Sequence, residues 1–411
     1  MIACEVVIVG GGLGGLTLAA SLGAAGIDVV CLEREAPSRT RSAAHDGRTT
    51  AIAYGPQQVL AACGVWDKIE RDACPILRIH VADQDSPPSL SFLHHEVGAA
   101  PFGWIVDNRT LRRALEERIA ELKRHVRVLA PAQMATLDCG ALQARVTLTD
   151  GRVVTAQLAV GADGRRSASR EQAGIGSYGW DYGQTAIVAT LLHEIPHDNI
   201  AVENFLPGGP LATLPMTDAR RGHDGLTHRS SLVWSEQTAA AQALMTCDEA
   251  AFTAALQEKV GAWLGRVRLE GPRFAYPLNL RRAKRLTAPR FALVSEAAHG
   301  IHPIAGQGLN LGMRDIAALR DELVRATRLG LDLGHPDILR RYEHARRFDN
   351  GAMVLGMDLL VRLFSNAIPP VQTARRFGLG LVQHIGPVRR FFMRVAMGER
   401  DTAPFPTPKT G

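Results

Sequence analysis

The chain has 411 residues, of which 46% are hydrophobic and 21% are charged, a composition typical of a globular protein with two or three domains. Its formal net charge is +6, but residues 351–411 hold eight Lys/Arg against three Asp/Glu and therefore carry +5 of it. The remainder is nearly neutral, which argues against a general nucleic-acid binder. Six cysteines without a CxxC pair are too sparse for a disulfide scaffold, so we expect reduced thiols in a cytoplasmic protein.

The first pattern along the chain is a β-branched run, a glycine-rich turn and a helix. Val6–Val9 suits a central parallel strand, and the turn GGGLGG at residues 10–15 satisfies G-x-G-x-x-G. The apolar residues 16–25 then predict a helix, and a second strand, Val29–Leu32, ends directly before Glu33. This order of elements predicts a Rossmann-like β-α-β unit.

The glycines of this turn have separate tasks in binding a dinucleotide. Gly10 permits the tight turn, Gly12 lets the backbone approach a pyrophosphate, and Gly15 lets the helix pack against the strand. The start of the helix, which includes Gly14, offers free N–H groups to the phosphates. Glu33 lies 18 residues past Gly15, where a carboxylate binds ribose hydroxyls and repels a 2′-phosphate. We therefore expect FAD or NAD here, and not NADP.

Two later segments repeat the order of strand, turn and helix. Residues 158–170 predict a strand, an Asp163-Gly164 turn and a helix with Ser167 as its N-cap. Residues 294–315, VSEAAHGIHPIAGQGLNLGMRD, contain a glycine-rich turn and the start of a helix that stops near Gly330. The apolar face of that helix consists of Leu309, Met313, Ile316, Leu319 and Leu323. A plain NAD dehydrogenase does not need two further ligand loops, so FAD is favoured.

The middle of the chain predicts an antiparallel sheet. Strand-like pieces lie at 185–192, 201–206 and 230–234, and a helix over about 248–264 carries an apolar face. That face consists of Phe252, Leu256 and Val260. We expect this sheet to form a substrate domain over the cofactor.

The tail from about residue 350 predicts helices in which apolar residues alternate with arginines. Its basic residues include Arg375, Arg376, Arg389, Arg390 and Arg394. A basic amphipathic segment suits the surface of an anionic membrane. The alternative is a helix pair packed on the cofactor domain, and both can hold together.

Three motifs resemble the single-component FAD-dependent aromatic hydroxylases, the class A flavin monooxygenases. They are GGGLGG with Glu33, the DGxxSxxR pattern at residues 163–170, and EAAHxxHPxxGQGxNxGxRD at residues 296–315. The run HPIAGQGLNLGMRD is similar to the ubiquinone-biosynthesis branch of these enzymes. By motif, the resemblance covers about residues 1–60, 100–175 and 275–350, and it is loose over 177–270.

The resemblance implies an α/β fold of the p-hydroxybenzoate-hydroxylase type. It has a Rossmann-like FAD-binding domain, an antiparallel β-sheet substrate domain and C-terminal helices. We expect the FAD-binding domain to be discontinuous, at residues 1–75, 98–176 and 275–345. The substrate domain would take 76–97 and 177–274, and the C-terminal helical segment 346–411.

The resemblance also implies a reaction. FAD, reduced by NADPH or NADH, would add O2 to give a C4a-hydroperoxide that hydroxylates the ring of a polyprenylated phenol in ubiquinone biosynthesis. No side chain needs to be a nucleophile, so we assign no catalytic residue. Expected partners are the polyprenylated phenol and O2, the inner-membrane surface and ubiquinone-biosynthesis proteins, without nucleic acid. The alternatives are hydroxylation of a soluble phenol or secondary-metabolite precursor, and a non-catalytic prenyl-binding module.

The cofactor-binding residues that the resemblance implies come from all three motifs. The ADP half of FAD would be held by Gly10, Gly12, Gly14, Gly15 and Glu33, with Arg34 and Arg48 near the adenine and pyrophosphate and Arg109 at the flavin nucleotide. Asp163 would contact FAD and help to form the NAD(P)H approach, and Glu296 would bind the ribityl or pyrophosphate portion. The flavin ring would meet Pro303, the backbone of Gly306, Gln307 and Gly308, and the helix start at Leu309 and Asn310. The dipole of this helix would stabilise negative charge at the N1/O2 edge of the reduced flavin.

The third motif departs from the family pattern at one point. The family usually has Gly-Asp where this chain has Ser295-Glu296; our hypothesis is that Glu296 still binds the cofactor. His299 and His302 form HxxH, but Pro303 and the glycines indicate a turn, so we predict no metal site. Elsewhere, we expect His193 and His197 to be surface histidines or satisfied core histidines. The basic run at 281–285 is either a solvated face or a dock for the phosphate of NADPH.

Overall fold

The computed structural model describes residues 1–40, 47–83, 86–219, 224–300 and 307–347, together with residues 390, 393, 394 and 397. The strands are β1 (Ile2–Val9), β2 (Val29–Leu32), β3 (Thr49–Ala53), β4 (Cys74–Ile76), β5 (Arg78–Asp83), β6 (Ser86–Leu93), β7 (Gly103–Asp107), β8 (Val126–Leu129), β9 (Met134–Cys139), β10 (Ala144–Leu148), β11 (Val153–Gly161), β12 (Ser177–His193), β13 (Ile200–Leu206), β14 (Gly209–Met216), β15 (His228–Gln237), β16 (Val267–Ala283), β17 (Thr287–Ala288), β18 (Phe291–Leu293) and β19 (His299–Gly300). The helices are α1 (Leu13–Ala24), α2 (Pro37–Thr40), α3 (Tyr54–Ala62), α4 (Asn108–Glu121), α5 (Ala168–Gln172), α6 (Thr238–Thr246), α7 (Glu249–Val260) and α8 (Gln307–Arg328). Residues 336–347 are also helical.

The first sheet has the strand order β17-β18-β11-β1-β2-β8, and its strands from β18 to β8 run parallel. Val6, Val7 and Ile8 are fully buried, as their β-branched side chains require in a central strand covered on both faces. Helix α1 packs against α4 and α8. The predicted Rossmann-like unit is confirmed, with β2 at the predicted limits.

Helix α8 agrees with the prediction from the third motif. Met313, Ile316, Leu319 and Leu323 are fully buried in the core of the first sheet, and Leu309 packs against this core in a partly exposed position. Gly330, just beyond the helix, has φ +66°, a conformation that favours glycine at the end of a helix.

The second sheet has the order β19-β16-β12-β15-β14-β13-β5-β6. Its neighbouring strands are antiparallel except for β13 and β5, which are parallel. The buried side of α7, formed by Phe252, Leu256 and Val260 as predicted, packs with Ile187 and Trp234 of the sheet. The three predicted strands of this region are confirmed, whereas β5, β6 and β14 were not predicted.

A small third sheet, β3-β7-β4, packs against the second sheet through an apolar cluster. The buried members of this cluster are Ile76, Phe102, Ile105, Ala201, Met216, Met393 and Met397. The last two belong to the C-terminal segment, so part of that segment packs on the body of the protein. The predicted domain limits stay a prediction, and β16 extends across the one at residue 275.

Candidate active site

The predicted site loops leave the first sheet from four neighbouring strand ends. The last residues of β2, β1, β11 and β18, Leu32, Val9, Gly161 and Leu293, lie next to one another in register. Backbone hydrogen bonds continue the row: the Gly10 N–H donates to Leu32, that of Ala162 to Val9, and that of Val294 to Gly161. Because ligands of open parallel sheets bind outside the carboxyl ends of the strands, this edge is the candidate site.

Two glycines of the first turn are required by packing. A Cβ at Gly15 would lie 1.9 Å from the carbonyl oxygen of Gly10, and one at Gly10 would lie 2.5 Å from that of Ala162. Gly10 also has φ +111°, where a side chain is strained. These residues bring α1 and β11 close to β1.

Gly12 serves a different purpose. A Cβ at Gly12 would meet no atom within 4 Å, so its backbone borders open space. The helix that starts there has neither a side-chain N-cap nor an acidic residue in its first turn. A helix end of this kind offers N–H groups and positive dipole potential, and it fits the pyrophosphate of a dinucleotide.

Glu33 is held beside this turn by an arginine that the sequence analysis missed. The Oε1 atom of Glu33 accepts from the backbone of Glu35, and its Oε2 atom lies 3.8 Å from the Arg112 guanidinium. Arg112 also donates both terminal nitrogens to the carbonyl oxygen of Gly11, at 3.1 Å each. It lies one turn after Arg109 on α4, and only the fold brings it to Glu33.

Asp163 organises the second loop. Its carboxylate accepts from the hydroxyl of Ser167 and from both the hydroxyl and the backbone N–H of Ser169, the latter at 2.9 Å. Ser167 caps α5 by accepting from the backbone of Arg170 at 3.0 Å, which confirms the predicted N-cap. The DGxxSxxR pattern is therefore explained locally as a self-capping turn.

The second loop is tied to the third by two arginines. Buried Arg170 donates to the carbonyl oxygen of Ala297 at 2.9 Å and to that of Arg165 at 3.2 Å. Arg165 in turn lies 3.5 Å from Glu296, whose side chain is 43% exposed. Glu296 therefore faces the second loop from the site edge, and its role in cofactor binding stays a prediction.

Ser295 occupies a strained position in the third loop. It is buried with φ +59°, which a non-glycine residue rarely adopts. Cβ atoms at Gly14 and Gly312 would lie 2.8 and 2.5 Å from its Oγ, so these glycines admit the serine side chain between α1 and α8. The bulk added at this position is thus accommodated by glycines on both sides.

A buried group of charges lies beneath the third loop. Asp315 of α8 accepts from the Ser295 backbone at 3.1 Å, from His299 Nε2, and from Arg346 Nε at 2.9 Å. Burial raises the pKa of Asp315, but His299 and Arg346 outweigh it and hold the pKa below its ordinary value. His299 thus has a carboxylate partner in the core, and His302 lies outside the described residues. Within the described part of the chain, no three His, Cys, Asp or Glu side chains form a group that could hold a metal ion.

The start of α8 is tied to the small third sheet. Asn310 accepts from the backbone N–H of Ala53 at 3.0 Å and donates to the carbonyl oxygen of Ala51 at 2.8 Å. A Cβ at Gly308 would meet no atom within 4 Å, and α8 has no acidic residue in its first turn. The backbone of Gln307 begins the helix, while Pro303 and Gly306 lie outside the described residues.

The three other predicted arginines lie at the surface. Arg34 is 72% exposed and lies 3.5 Å from Glu35. The guanidinium of Arg48 lies over the ring of Tyr276, 5.2 Å from its centroid, on the side of the second sheet. Arg109 is exposed in the first turn of α4. Their roles toward a cofactor stay predictions.

Comparison with known proteins gives matches along almost the whole chain. Residues 3–354 match the family described as FAD binding domain. The chain is 48% identical over 404 residues to the ubiquinone hydroxylase UbiL of Rhodospirillum rubrum, covering 98% of this chain and 91% of that protein. It is 33% identical over 396 residues to the 3-demethoxyubiquinol 3-hydroxylase of Escherichia coli, covering 96% and 98%.

A solved structure shares the fold. The p-nitrophenol 4-monooxygenase PnpA of Pseudomonas putida superimposes with a TM-score of 0.78 over 98% of this chain and 100% of that one. The sequences are 18% identical, so the likeness concerns the fold alone.

Proposed function

We propose that this chain, which belongs to the FAD-binding-domain family and is an FAD-dependent monooxygenase, hydroxylates the aromatic ring of a polyprenylated phenol in ubiquinone biosynthesis. NAD(P)H and O2 are its co-substrates. The observation that carries the proposal is the similarity to ubiquinone hydroxylases over almost the full length of the chain. The similarity extends over the second sheet, a region about which the three cofactor motifs give no information because they lie at the edge of the first sheet.

The chain's own residues would bind the two ends of FAD at different strand ends. The uncapped start of α1 would bind the pyrophosphate beside Gly12. Glu33, which is paired with Arg112, would accept hydrogen bonds from the ribose hydroxyls. Asp163 holds the second loop in a shape that keeps it against the third.

The start of α8 would bind the flavin ring. When bound, FAD supplies the transfer of one oxygen atom from O2 to the substrate after reduction by NAD(P)H. The helix start offers backbone N–H groups and a dipole that no acidic side chain of its first turn cancels, so it favours an anionic flavin edge. Asn310 holds this helix start on β3, next to the apolar cluster that would shield the ring from water.

The test follows flavin, co-substrate and product together. We expect the purified protein to be yellow and to consume NAD(P)H with matched formation of a hydroxylated product when given a polyprenylated phenol in detergent. A soluble phenol with the same ring substituents is the control. If the enzyme hydroxylates the soluble phenol with matched NAD(P)H consumption but does not hydroxylate the polyprenylated phenol, its substrate belongs to a different class. In a deletion strain, the accumulating ubiquinone precursor identifies the hydroxylated ring position.

We also propose that the C-terminal segment brings the enzyme to an anionic membrane surface, where polyprenylated substrates reside. Met393 and Met397 are buried, whereas Arg390 and Arg394 are exposed, so these helical residues pack on the protein through apolar groups and leave two cations accessible to an anionic surface. No helix among the described residues is long and apolar enough to cross a membrane. Assembly with other ubiquinone-biosynthesis proteins stays a prediction.

Liposome co-sedimentation tests this surface. Vesicles that contain phosphatidylglycerol should bind the native chain more strongly than the double variant Arg390→Glu/Arg394→Glu, which keeps both buried methionines. The matched control reverses two exposed cations near the end of α4, Lys123→Glu/Arg124→Glu. Equal binding of all three proteins would remove the proposed membrane surface.

A further inference from the structure

The helical segment 336–347 reaches the base of the third loop with two buried side chains. Tyr342 and Arg346, four residues apart and hence on one face of the helix, are 0% and 2% exposed. The Tyr342 hydroxyl donates to the carbonyl oxygen of Leu293 at 2.6 Å, at the end of β18. Arg346 reaches Asp315. Neither residue belongs to the three cofactor motifs.

Arg346 acts on the loop through one carboxylate. Oδ1 of Asp315 accepts from Arg346, whereas Oδ2 accepts from the backbone of Ser295 and from His299. Asp315 is fully buried, so its charge requires compensation within the protein. Without Arg346, this carboxylate would keep its two loop contacts but lose its arginine counter-charge.

The two loop contacts lie at either end of the turn. Ser295 has a strained backbone that must be held in place, and the Asp315 carboxylate accepts its N–H. His299 pairs through its backbone with Arg282 of β16 and precedes the segment that continues to α8. The Nδ1 atom of its buried ring has no hydrogen-bond partner among the described residues, so the bond to Asp315 is the ring's one polar contact there.

We propose that Arg346 and Tyr342 are positioning residues for the flavin: Arg346 fixes the third loop through Asp315, and Tyr342 fixes the strand end from which that loop begins. The inference rests on the FAD binding of the proposed function and is independent of the phenol used. It assigns a role to the segment that follows α8, outside the motifs that bind the cofactor.

The experiment measures the dissociation constant of FAD from the full-length protein by flavin fluorescence, without substrate. For Arg346→Met we expect a rise of about tenfold, equivalent to one lost hydrogen bond to a charged group. Arg346→Lys restores the charge and should recover part of the affinity. Arg340→Met is the matched control, since Arg340 lies on the same helix, is 75% exposed and pairs with Asp337.

A double-mutant cycle separates positioning through Asp315 from a general loss of stability. If Arg346 acts through Asp315, the effects of Arg346→Met and Asp315→Asn on FAD affinity are not additive in the double variant. Additive losses, or native affinity in Arg346→Met, would overturn the proposal. If Arg346→Met does not fold, Arg346→Lys and Tyr342→Phe carry the test, and native FAD affinity in both would overturn it. Failure to hydroxylate a polyprenylated phenol would leave these binding results unchanged.

Discussion

The edge of the first sheet and the body of the second sheet are built by different means. At the edge, the decisive atoms belong to the backbone: Gly12 borders open space, and Gly10 and Gly15 permit close approach. The body of the second sheet depends on side chains, such as Trp234 packed against Phe252 with ring centroids 5.9 Å apart. Backbone requirements leave a glycine pattern in the sequence, whereas many apolar combinations can fill a core.

Polar groups show the same contrast. In the second sheet, buried His193 has both ring nitrogens in hydrogen-bond contact, with the Ile195 carbonyl and the Ser230 hydroxyl, and burial lowers its pKa. His197 is likewise bonded to the carbonyl oxygen of Met216 and the N–H of Asn199. The expectation of satisfied histidines is confirmed, and these rings stabilise the fold. At the first-sheet edge, by contrast, the uncapped helix start of α1 is available to a ligand.

The strongest test of the contrast is Gly15→Ala. Its Cβ would lie 1.9 Å from the backbone oxygen of Gly10, and a backbone atom cannot move aside as a flexible side chain can. We expect a loss of about 4 kcal/mol or more in the free energy of unfolding and no flavin-loaded protein. Chemical denaturation and the visible flavin spectrum measure this. A stable yellow variant would refute the packing role of Gly15.

Phe252→Ala tests the second sheet. Phe252 is fully buried on α7 under the guanidinium of Arg273, so its truncation should cost about 3 kcal/mol of unfolding free energy. Because Phe252 belongs to the core of the second sheet, which is separate from that of the first, the FAD affinity of the folded fraction should stay native. A weakened flavin site would show that the two regions are more closely coupled than their separate cores indicate.

Gly12→Ala should give the opposite result. A Cβ there meets no protein atom, so the unfolding free energy of the FAD-free protein should change by no more than about 1 kcal/mol. The added methyl would occupy space needed by the pyrophosphate, and FAD affinity should fall about tenfold, the equivalent of about 1.4 kcal/mol. Gly98→Ala is the control, because its Cβ also meets open space, away from the turn. Equal FAD affinity in both variants would contradict the assignment.

Glu296→Ala should have a smaller effect. Glu296 is half-exposed beside Arg165, so we expect a lower flavin load and an affinity reduced about threefold, as for one weak polar contact. The control is Glu194→Ala, which removes a carboxylate of similar exposure paired with Arg266 at 3.3 Å. An unchanged flavin load in Glu296→Ala would reject our hypothesis that this acid binds the cofactor.

The smallest expected signal comes from a thiol. Burial raises the pKa of Cys31 in β2 to about 12, Glu33 adds to the shift, and Arg112 opposes it. At pH 8 this thiol is protonated, so a maleimide should leave Cys31 unlabelled in the native protein and label it after denaturation. Peptide mass spectrometry reads both states, and rapid native labelling would show that β2 opens readily.

The sequence was sufficient for those parts of the fold that local chemistry determines. The glycine turn, the N-cap at Ser167 and the apolar face of α8 all follow from neighbours along the chain, and the structure has them where predicted. Arg112 and Arg346 could not be found in this way, because each meets its partner only after distant elements pack together. The same limit applies to β14 and to the parallel pairing of β13 with β5.

The connection between β11 and β18 has a consequence for the evolution of the fold. These strands are parallel neighbours in the first sheet, yet the chain between them builds β12 to β16 before it returns. Because the two strands are parallel, this segment leaves at the carboxyl end of β11 and the chain returns to the amino end of its neighbour β18. A segment that begins and ends on neighbouring strands can be remodelled with little disturbance of the sheet from which it extends. One flavin-binding scaffold could thus acquire new aromatic substrates through changes in β12 to β16, while the strand ends of the first sheet that bind the flavin stay the same.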